Sequence, residues 1–482
     1  MKPSTGASIA TSLATLLVLA ITSTATAQDW PQWRGPNRDG KATGFKAPAT
    51  WPAALTKKWD IAIGNGVSNP SLVGDRLYVA TREGDSEVVR CLSAATGDEV
   101  WKDSYASDVP TGYGAGGGRF IGPRATPTVA NGRVIILGAN GMLSNYDAAS
   151  GQLKWRKDAF VGKVPGFYTS SSPIVIDGLC IAQLGSGGGE GARPGDTELG
   201  AMIAFDLMTG DEKWRASEAS PTYASPTLMT VDGMKVIFTL SETQIVGVNA
   251  ANGKTVWKLP LRQGRYNSSS PVVDGQTLIF AGPGTRGLTA LKLSKQGEEL
   301  KDEEAWTYTD NQLIFNTPVL RDGALFGYNT RDQIFAIKSD RTTGWATPIV
   351  PSPPAAATGL FMPANSQTVF AQPQPQEAKA QEGERAGGQQ PARGRGQRRG
   401  RGGRPAGGGE RPGYGSVVDA GSVMIALCPA GELVVFAPNA EEYKELARYK
   451  VSEEGDVYSH PIVSGNRIYI KDRDSVALFT VE

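Results

Sequence analysis

The chain has 482 residues, with 49 basic and 48 acidic side chains, so its formal net charge is only +1. This balance gives no reason to expect a nucleic-acid partner. The chain has one histidine and three cysteines, Cys91, Cys180 and Cys428. These numbers and spacings exclude a histidine-rich zinc site and a zinc finger. One cysteine pair could form a disulfide in an oxidising compartment, but we expect buried free thiols.

Residues 1–27 have the pattern of a cleavable secretory signal. Lys2 precedes an apolar run from Leu13 to Ile21, and Ala25 to Ala27 matches the small-x-small pattern of a cleavage site. The run is too short to span a bilayer. We therefore expect an exported protein, periplasmic or extracellular, without a transmembrane segment.

A repeat with the spacing G-x-x-x-W follows. It occurs at Gly97–Trp101, Gly151–Trp155, Gly210–Trp214 and Gly253–Trp257, and looser copies end at Trp306 and Trp345. A tryptophan side chain buries roughly 150–250 Å². One tryptophan at the same point of each repeat can therefore join one repeat to the next.

A second marker opens each repeat, where a polar residue precedes proline and a short apolar run. Its copies are Asn69-Pro70, Thr126-Pro127, Ser172-Pro173, Ser225-Pro226, Ser270-Pro271, Thr317-Pro318 and His460-Pro461. A glycine-containing turn and a β-branched run come next, as in a hairpin. Each repeat is thus predicted to form four strands, A to D, with proline opening strand A and tryptophan on strand D. Four-stranded units of this length are typical of β-propellers.

The markers predict an all-β, eight-bladed propeller of four-stranded antiparallel blades. The seventh unit, beginning at Ser416, lacks the proline and has Tyr449 near the tryptophan position. The eighth unit, from His460, supplies only three strands. We predict that the N-terminal strand carrying Trp59 completes it, which leaves no open sheet edge. Seven blades are the alternative if the seventh unit is not a blade.

The A-x-D-x-x-T-G-x-x-x-W core resembles the repeats of the pyrroloquinoline-quinone (PQQ) propellers, the quinoprotein alcohol dehydrogenase-like and BamB-like superfamily. The stretch from Asp29 to Gly40, DWPQWRGPNRDG, resembles the opening of exported bacterial members. The resemblance implies propeller segments at 28–370 and 414–482. The superfamily includes PQQ-dependent alcohol dehydrogenases and a non-catalytic lipoprotein of the outer-membrane assembly machinery.

The dehydrogenase branch implies PQQ, a calcium ion, an aspartate base and often a vicinal disulfide. This chain has no adjacent cysteines and no recognisable set of calcium ligands, so we expect no cofactor and no catalytic residue. His460, the only histidine, occupies a repeat position and is expected to be structural. The leading hypothesis is a non-catalytic binding or protein-interaction scaffold of the cell envelope, acting as a monomer. The alternative is a PQQ- and calcium-dependent oxidoreductase acting on alcohols or sugars.

Four-strand alternation places the D–A and B–C connections on one face, which carries the long loops on which propellers place function. Residues before each proline and in the B–C loops should ring the channel mouth there. The candidates are Arg124, Tyr168, Tyr223, Tyr266, Asn267, Asn316, Arg286, Arg331, Tyr458, His460 and Arg473, with Phe315 beside them. Aromatic rings and arginines suit an anionic or sugar-like ligand, or an acidic loop of an envelope protein. The alternative is that these residues only cap the blade junctions.

Residues 371–413 interrupt the repeats with a Gln-, Pro-, Gly- and Arg-rich insertion that includes the run RGRGQRRGRGGR. Its few apolar residues cannot form a core, so we expect disorder. Arg/Gly tracts can bind nucleic acid, which an exported protein rarely meets. An anionic surface polymer, an acidic protein or a simple spacer role is expected instead.

Overall fold

The computed structural model describes residues 29–108, 121–187, 200–241, 243–261, 268–281, 287–349, 414–453 and 455–482. These belong to the unit formed by Met1–Val350 and Arg411–Glu482. The predicted leader, the insertion at 371–413 and most of the long loops lie outside the described residues. No helix able to cross a membrane occurs in the described part of the chain.

The described strands form eight four-stranded antiparallel sheets, which are the eight predicted blades. In each of the first four blades, strands A to D follow one another along the chain. Blade 1 contains β2 (Ser71–Val73), β3 (Arg76–Glu83), β4 (Ser86–Ser93) and β5 (Glu99–Ala106); blade 2, β6 (Thr128–Ala130), β7 (Arg133–Leu137), β8 (Leu143–Asp147) and β9 (Leu153–Lys157); blade 3, β10 (Ile174–Ile176), β11 (Leu179–Leu184), β12 (Ala201–Asp206) and β13 (Glu212–Ala216); blade 4, β14 (Thr227–Val231), β15 (Met234–Leu240), β16 (Gln244–Asn249) and β17 (Thr255–Pro260).

The last four blades include the degenerate unit and the closure. Blade 5 contains β18 (Val272–Asp274), β19 (Thr277–Phe280), β20 (Leu288–Gln296) and β21 (Glu299–Tyr308); blade 6, β22 (Val319–Arg321), β23 (Ala324–Tyr328), β24 (Gln333–Ile337) and β25 (Thr343–Pro348); blade 7, β26 (Ser416–Asp419), β27 (Met424–Leu427), β28 (Glu432–Phe436) and β29 (Glu445–Lys450); blade 8, β30 (Ile462–Ser464), β31 (Arg467–Lys471), β32 (Ser475–Thr480) and β1 (Thr56–Ala62). The seven-blade alternative is therefore wrong, because the unit without proline forms a complete blade.

The two ends of the described chain close the ring, as predicted. Strand β1 pairs antiparallel with β32, placing Trp59 opposite Leu478. The N-terminal strand is thus strand D of blade 8. Its hydrogen bonds to β32 complete blade 8 and close the ring.

Each tryptophan of the repeat lies on strand D and packs against the next blade. Trp101 Nε1 of blade 1 donates to the Ala148 carbonyl of blade 2 at 3.0 Å, and Trp155 Nε1 donates to the Leu207 carbonyl of blade 3 at 3.0 Å. Beside Trp155, the C–D register shifts between Asn145 and Tyr146. Such a bulge re-aims a side chain, here from its own blade toward the neighbouring one.

The polar residue before each proline forms a second connection between blades. The backbone N–H of Ser172 donates to Ser225 Oγ at 3.0 Å, that of Ser225 to Ser270 Oγ at 2.8 Å, and that of Ser270 to Thr317 Oγ1 at 2.9 Å. The His460 N–H donates to Asn69 Oδ1 at 3.0 Å, which links blade 8 to blade 1. Because these groups are buried or half-buried, each bond satisfies a backbone donor that would otherwise be costly.

The three cysteines are buried and none forms a disulfide, as expected. Cys91 and Cys180 lie in β4 and β11, and Cys428 directly follows β27. Burial raises the pKa of Cys91 and Cys180 to about 12. Both thiols are therefore protonated at neutral pH and are poor nucleophiles.

Candidate functional site

Residues 29–46, the N-terminal arm, lie against the inner strands of the propeller. Asp29 accepts a hydrogen bond from Gly74 N in the A–B turn of blade 1 at 2.7 Å, and Trp30 pairs with Leu72. Farther along, Lys46 N donates to the Gly465 carbonyl in the A–B turn of blade 8 at 2.7 Å. Both ends of the arm therefore lie at the A–B turns, while its middle reaches the opposite end of the channel.

Two arginines fix the middle of the arm to two separate blades, blade 6 and blade 3. Arg34 donates to the Thr317 carbonyl and, at 2.8 Å, to the Pro318 carbonyl of blade 6. Arg38 donates to the Ser172 carbonyl at 2.9 Å and to the Pro173 carbonyl at 2.8 Å, both in blade 3. These acceptors lie at the starts of the A strands. Each arginine thus hydrogen-bonds at the position marked in the sequence by the pre-proline residue.

Trp33, the residue before Arg34, lies close to both arginines of the arm. The guanidinium carbons of Arg34 and Arg38 lie 5.6 and 5.4 Å from the centre of the Trp33 ring, within cation–π range. The ring also meets His460 edge-on, with centroids 6.3 Å apart. The arm therefore places an aromatic surface backed by two cations in the mouth of the channel.

A cavity of about 200 Å³ lies at this mouth. Every blade contributes to its wall through the D–A connection, and Trp33 contributes from the arm. Its lining consists of Trp33, Val67, Asn69, Arg124, Thr126, Phe167, Ser170, Tyr223, Ser225, Ser268, Ser270, Phe315, Thr317, Tyr414, Tyr458 and His460. None of these residues is acidic.

The aromatic part of the wall forms two groups. Phe315 stacks on Tyr414 with ring centres 4.0 Å apart and planes within 9°, and Tyr414 meets Tyr458 edge-on at 5.2 Å. Phe167 meets Tyr223 edge-on at 5.9 Å, and the Tyr223 hydroxyl accepts a hydrogen bond from Phe167 N at 3.2 Å. Rings that are fixed in this way lose little entropy when they bind a ligand.

The predicted candidates divide between this cavity and other places. Arg124, Tyr223, Phe315, Tyr458 and His460 line it. Tyr168 does not line the cavity, and its buried ring has its centre 5.6 Å from the Arg124 guanidinium carbon. Tyr266, Asn267 and Arg286 lie outside the described residues.

Three other candidates make contacts within the propeller and do not line the cavity. Buried Asn316 donates to the Gly415 carbonyl at 2.9 Å, which joins blades 6 and 7. Arg331 is exposed and donates to the Asp310 carbonyl at 3.3 Å. Arg473 forms an ion pair with Asp456 at 3.1 Å.

The sequence patterns did not predict Trp33, Phe167 and Tyr414, nor the arginines of the arm. Phe167 and Tyr414 lie in D–A connections, so the rule that selected Tyr168 and Tyr223 could have found them. The signal for the arm was the pair Arg34 and Arg38, spaced by four in a Gly- and Pro-rich stretch without repeat character. That stretch supported a family resemblance but was given no site role.

The charge state of His460 follows from its surroundings. Burial, together with the positive charge of Arg34, lowers its pKa from 6.5 to about 3. Its Nδ1 is buried and has no hydrogen-bond partner among the described residues. At neutral pH, His460 is therefore an uncharged group of the cavity wall.

The lining does not fit PQQ held with calcium. Calcium takes six to eight oxygen ligands, carboxylates prominent among them, and no lining residue carries a carboxylate. No group of three or more His, Cys, Asp or Glu side chains elsewhere in the described ranges could hold a metal ion. The described residues around this cavity therefore do not include the usual donors for the cofactor chemistry of the dehydrogenase branch.

The closed ring of eight repeat blades around an aromatic cavity defines a PQQ-like β-propeller. Residues 32–199 and 192–346 match the family model described as outer membrane protein assembly factor BamB, and the chain belongs to this family. The predicted superfamily is thereby confirmed.

Individual relatives fall into both branches. The BamB of Burkholderia pseudomallei is 26% identical over 46% of this chain and 63% of its own length. The quinohemoprotein alcohol dehydrogenase ADH-IIG of Pseudomonas putida is 28% identical over 33% of this chain, but over only 21% of its own length. The crystal structure of BamB from Moraxella catarrhalis covers 89% of this chain and 98% of its own, with a TM-score of 0.54 and 13% identity, which supports the fold alone. The chain thus spans less than two thirds of the first two relatives.

Proposed function

We propose that this chain is a non-catalytic binding propeller of the cell envelope, and that its channel-mouth cavity is the binding site. The composition of the cavity carries the proposal. Aromatic, hydroxyl and guanidinium groups line it, whereas a carboxylate that could act as base or orient His460 is absent from the described lining. His460 itself is a weak base, because its pKa is about 3. General acid–base chemistry needs groups whose pKa lies nearer the working pH.

Two observations support the envelope and a protein partner. The family model and the Burkholderia relative are both described as outer membrane protein assembly factors. The N-terminal 27 residues have the composition of an export signal. We infer export to the periplasm or cell surface, where an envelope protein would dock on the D–A face.

The test is capture of partners from the native envelope by in vivo crosslinking of the full-length protein. Tyr223→Ala with Phe315→Ala removes one ring from each aromatic group of the cavity. Met208→Ala, at an exposed C–D turn, is the matched control on the other face. We expect the wild type and Met208→Ala to capture the same envelope protein and the double variant to lose it. Location in the cytoplasm, or equal capture by all three, would contradict the proposal.

Because a quinohemoprotein alcohol dehydrogenase is among the relatives, the oxidoreductase alternative needs its own test. The purified protein is mixed with PQQ and calcium, then assayed for a quinone absorbance band and for dye reduction with alcohols and sugars. We expect no turnover, because the lining supplies no carboxylate for the metal or for a base. Substrate-dependent dye reduction would replace the scaffold proposal with the dehydrogenase.

A further inference from the structure

The arm places two buried positive charges directly behind the cavity floor. Arg34 is 1% exposed and Arg38 is 5% exposed, and both flank the Trp33 ring that forms this floor. Desolvation lowers their pKa values to about 10 and 9. Both guanidinium groups are therefore charged at neutral pH.

Among the described residues, few acids balance these charges. Asp39 is the carboxylate that acts on Arg34, and desolvation alone accounts for the shift of Arg38. The arginines instead donate to backbone carbonyls, which neutralise no charge. Arg124 adds a third guanidinium in the cavity wall. In a concave, low-dielectric site, such charges create a positive potential.

The hydroxyl groups of the wall add hydrogen-bond donors. The oxygens of Ser225, Ser270 and Thr317 each accept a backbone N–H from the preceding blade. Among the described residues, these hydroxyl groups donate to no acceptor, so their hydrogens are available to a ligand. A serine or threonine whose oxygen is used in this way presents mainly its O–H to a ligand. The wall is therefore rich in donors and suits a ligand rich in acceptors.

From these charges, donors and rings, we propose that the cavity binds an oxyanion, either a carboxylate or a phosphate ester, carried on a planar apolar body. The N-terminal arm supplies the floor of this site and its positive potential. The oxyanion lies toward Arg124 and the hydroxyl ring, and the apolar body packs against Trp33 and the Phe315–Tyr414 stack. This inference rests on the proposed use of the cavity as a binding site and specifies the ligand chemistry.

Isothermal titration of the full-length protein with three matched probes tests the charge requirement. The probes are 2-naphthoate, 2-naphthyl phosphate and the neutral 2-naphthamide. We expect at least one anion to bind about tenfold more tightly than the amide, and this preference to shrink between about 50 and about 300 mM NaCl as screening increases. The stronger anion identifies the source as a carboxylate or a phosphate. Equal binding of anions and amide, or no binding, would overturn the inference.

Substitution at Arg124 separates charge recognition from folding. Arg124→Gln should weaken binding of the preferred anion about five- to tenfold and leave naphthamide binding unchanged, while Arg124→Lys retains part of the affinity. Arg331→Gln alters an exposed arginine away from the cavity and is the matched control. It should change the affinity for neither the anion nor the amide. If Arg124→Gln weakens all three probes equally, the residue supports the wall and the inference fails.

The two proposals fail in different ways. If no naphthyl anion binds but partner capture still depends on Tyr223 and Phe315, the oxyanion inference is wrong and the scaffold function stands. If the anion binds as expected but no envelope protein is captured, the site is a small-molecule site and the scaffold function is wrong.

Discussion

Gly151 and Gly132 lie in the same blade and allow the cost of tryptophan docking to be measured separately from backbone strain. Their φ angles are 73° and 71°, so alanine at either position must adopt a left-handed conformation. That conformation costs about 1–2 kcal/mol for an L-residue. The surroundings differ, because a Cβ at Gly151 would lie 2.6 Å from ring atoms of Trp101, whereas a Cβ at Gly132 would meet nothing within 4 Å.

The Trp101 ring cannot easily retreat from an added methyl group. Its Nε1 donates to the Ala148 carbonyl at 3.0 Å, and its ring stacks on Tyr146 with centroids 6.2 Å apart. Overpacking of this kind costs about 1–3 kcal/mol. We therefore expect Gly132→Ala to lower the free energy of unfolding by about 1–2 kcal/mol, and Gly151→Ala by about 2–5 kcal/mol.

Urea unfolding followed by circular dichroism measures both losses. Repeating the pair in a Trp101→Leu background removes the large ring, and the excess loss at Gly151 should then shrink toward that at Gly132. Equal losses for the two glycine variants in the wild-type background would refute the steric account of G-x-x-x-W. The glycine of the motif would then be required only for the left-handed conformation of the turn, and not for the close approach of the tryptophan ring.

Three further changes test the inter-blade contacts and the charge state of the cavity. Arg38→Met leaves the buried Ser172 carbonyl without its donor, whereas the Pro173 carbonyl keeps the Thr128 hydroxyl. We expect a loss of about 1–3 kcal/mol in urea unfolding. Exposed Arg331→Met should cost under about 0.5 kcal/mol, and equal losses would contradict the role of the arm. Ser225→Ala removes the acceptor of the Ser172 N–H and should lower the free energy of unfolding by about 1–2 kcal/mol. Ser225→Thr keeps the hydroxyl oxygen and should lose less. Equal losses for the two variants would contradict the role of this inter-blade hydrogen bond. In the unfolded chain His460 gains a proton below about pH 6.5, whereas in the folded protein it gains one only near pH 3. The unfolded state therefore binds more protons in this interval. The free energy of unfolding should fall as the pH drops through it, by up to about 1.4 kcal/mol per pH unit. His460→Asn should flatten the fall in unfolding free energy between these pH values, and an unchanged slope would show that His460 does not contribute to it.

The blades could be predicted because their signals are local and repeated. A turn glycine, a docking tryptophan and an opening proline recur in most units, and the contacts they specify are made within a blade or with the next one. The closure by the strand of Trp59 followed from counting strands, since blade 8 otherwise lacks its fourth. Blade 7 was predictable despite its missing proline because β26 (Ser416–Asp419) and the next two strands keep their alternation and turns.

The floor of the cavity could not be predicted in the same way. Arg34 bonds to residues 283 and 284 positions along the chain, and Arg38 to residues 134 and 135 positions away. A segment that occurs once and contacts several blades has no internal copy with which to compare it. The ring of candidates was therefore predicted only in part. Wall residues could be selected by their position before each proline, in the D–A connections. The contacts of the arm with these residues join positions far apart in the sequence and could not be selected in this way.

The course of the arm also determines which way the cavity faces. The chain at Asp29 lies beside the A–B turn of blade 1, and the cavity opens among the D–A connections on the opposite face. Asp29 therefore lies on the side of the propeller away from the cavity. A tether, a fusion partner or a sensor surface attached there would hold the molecule from behind and leave the binding mouth directed toward its ligand.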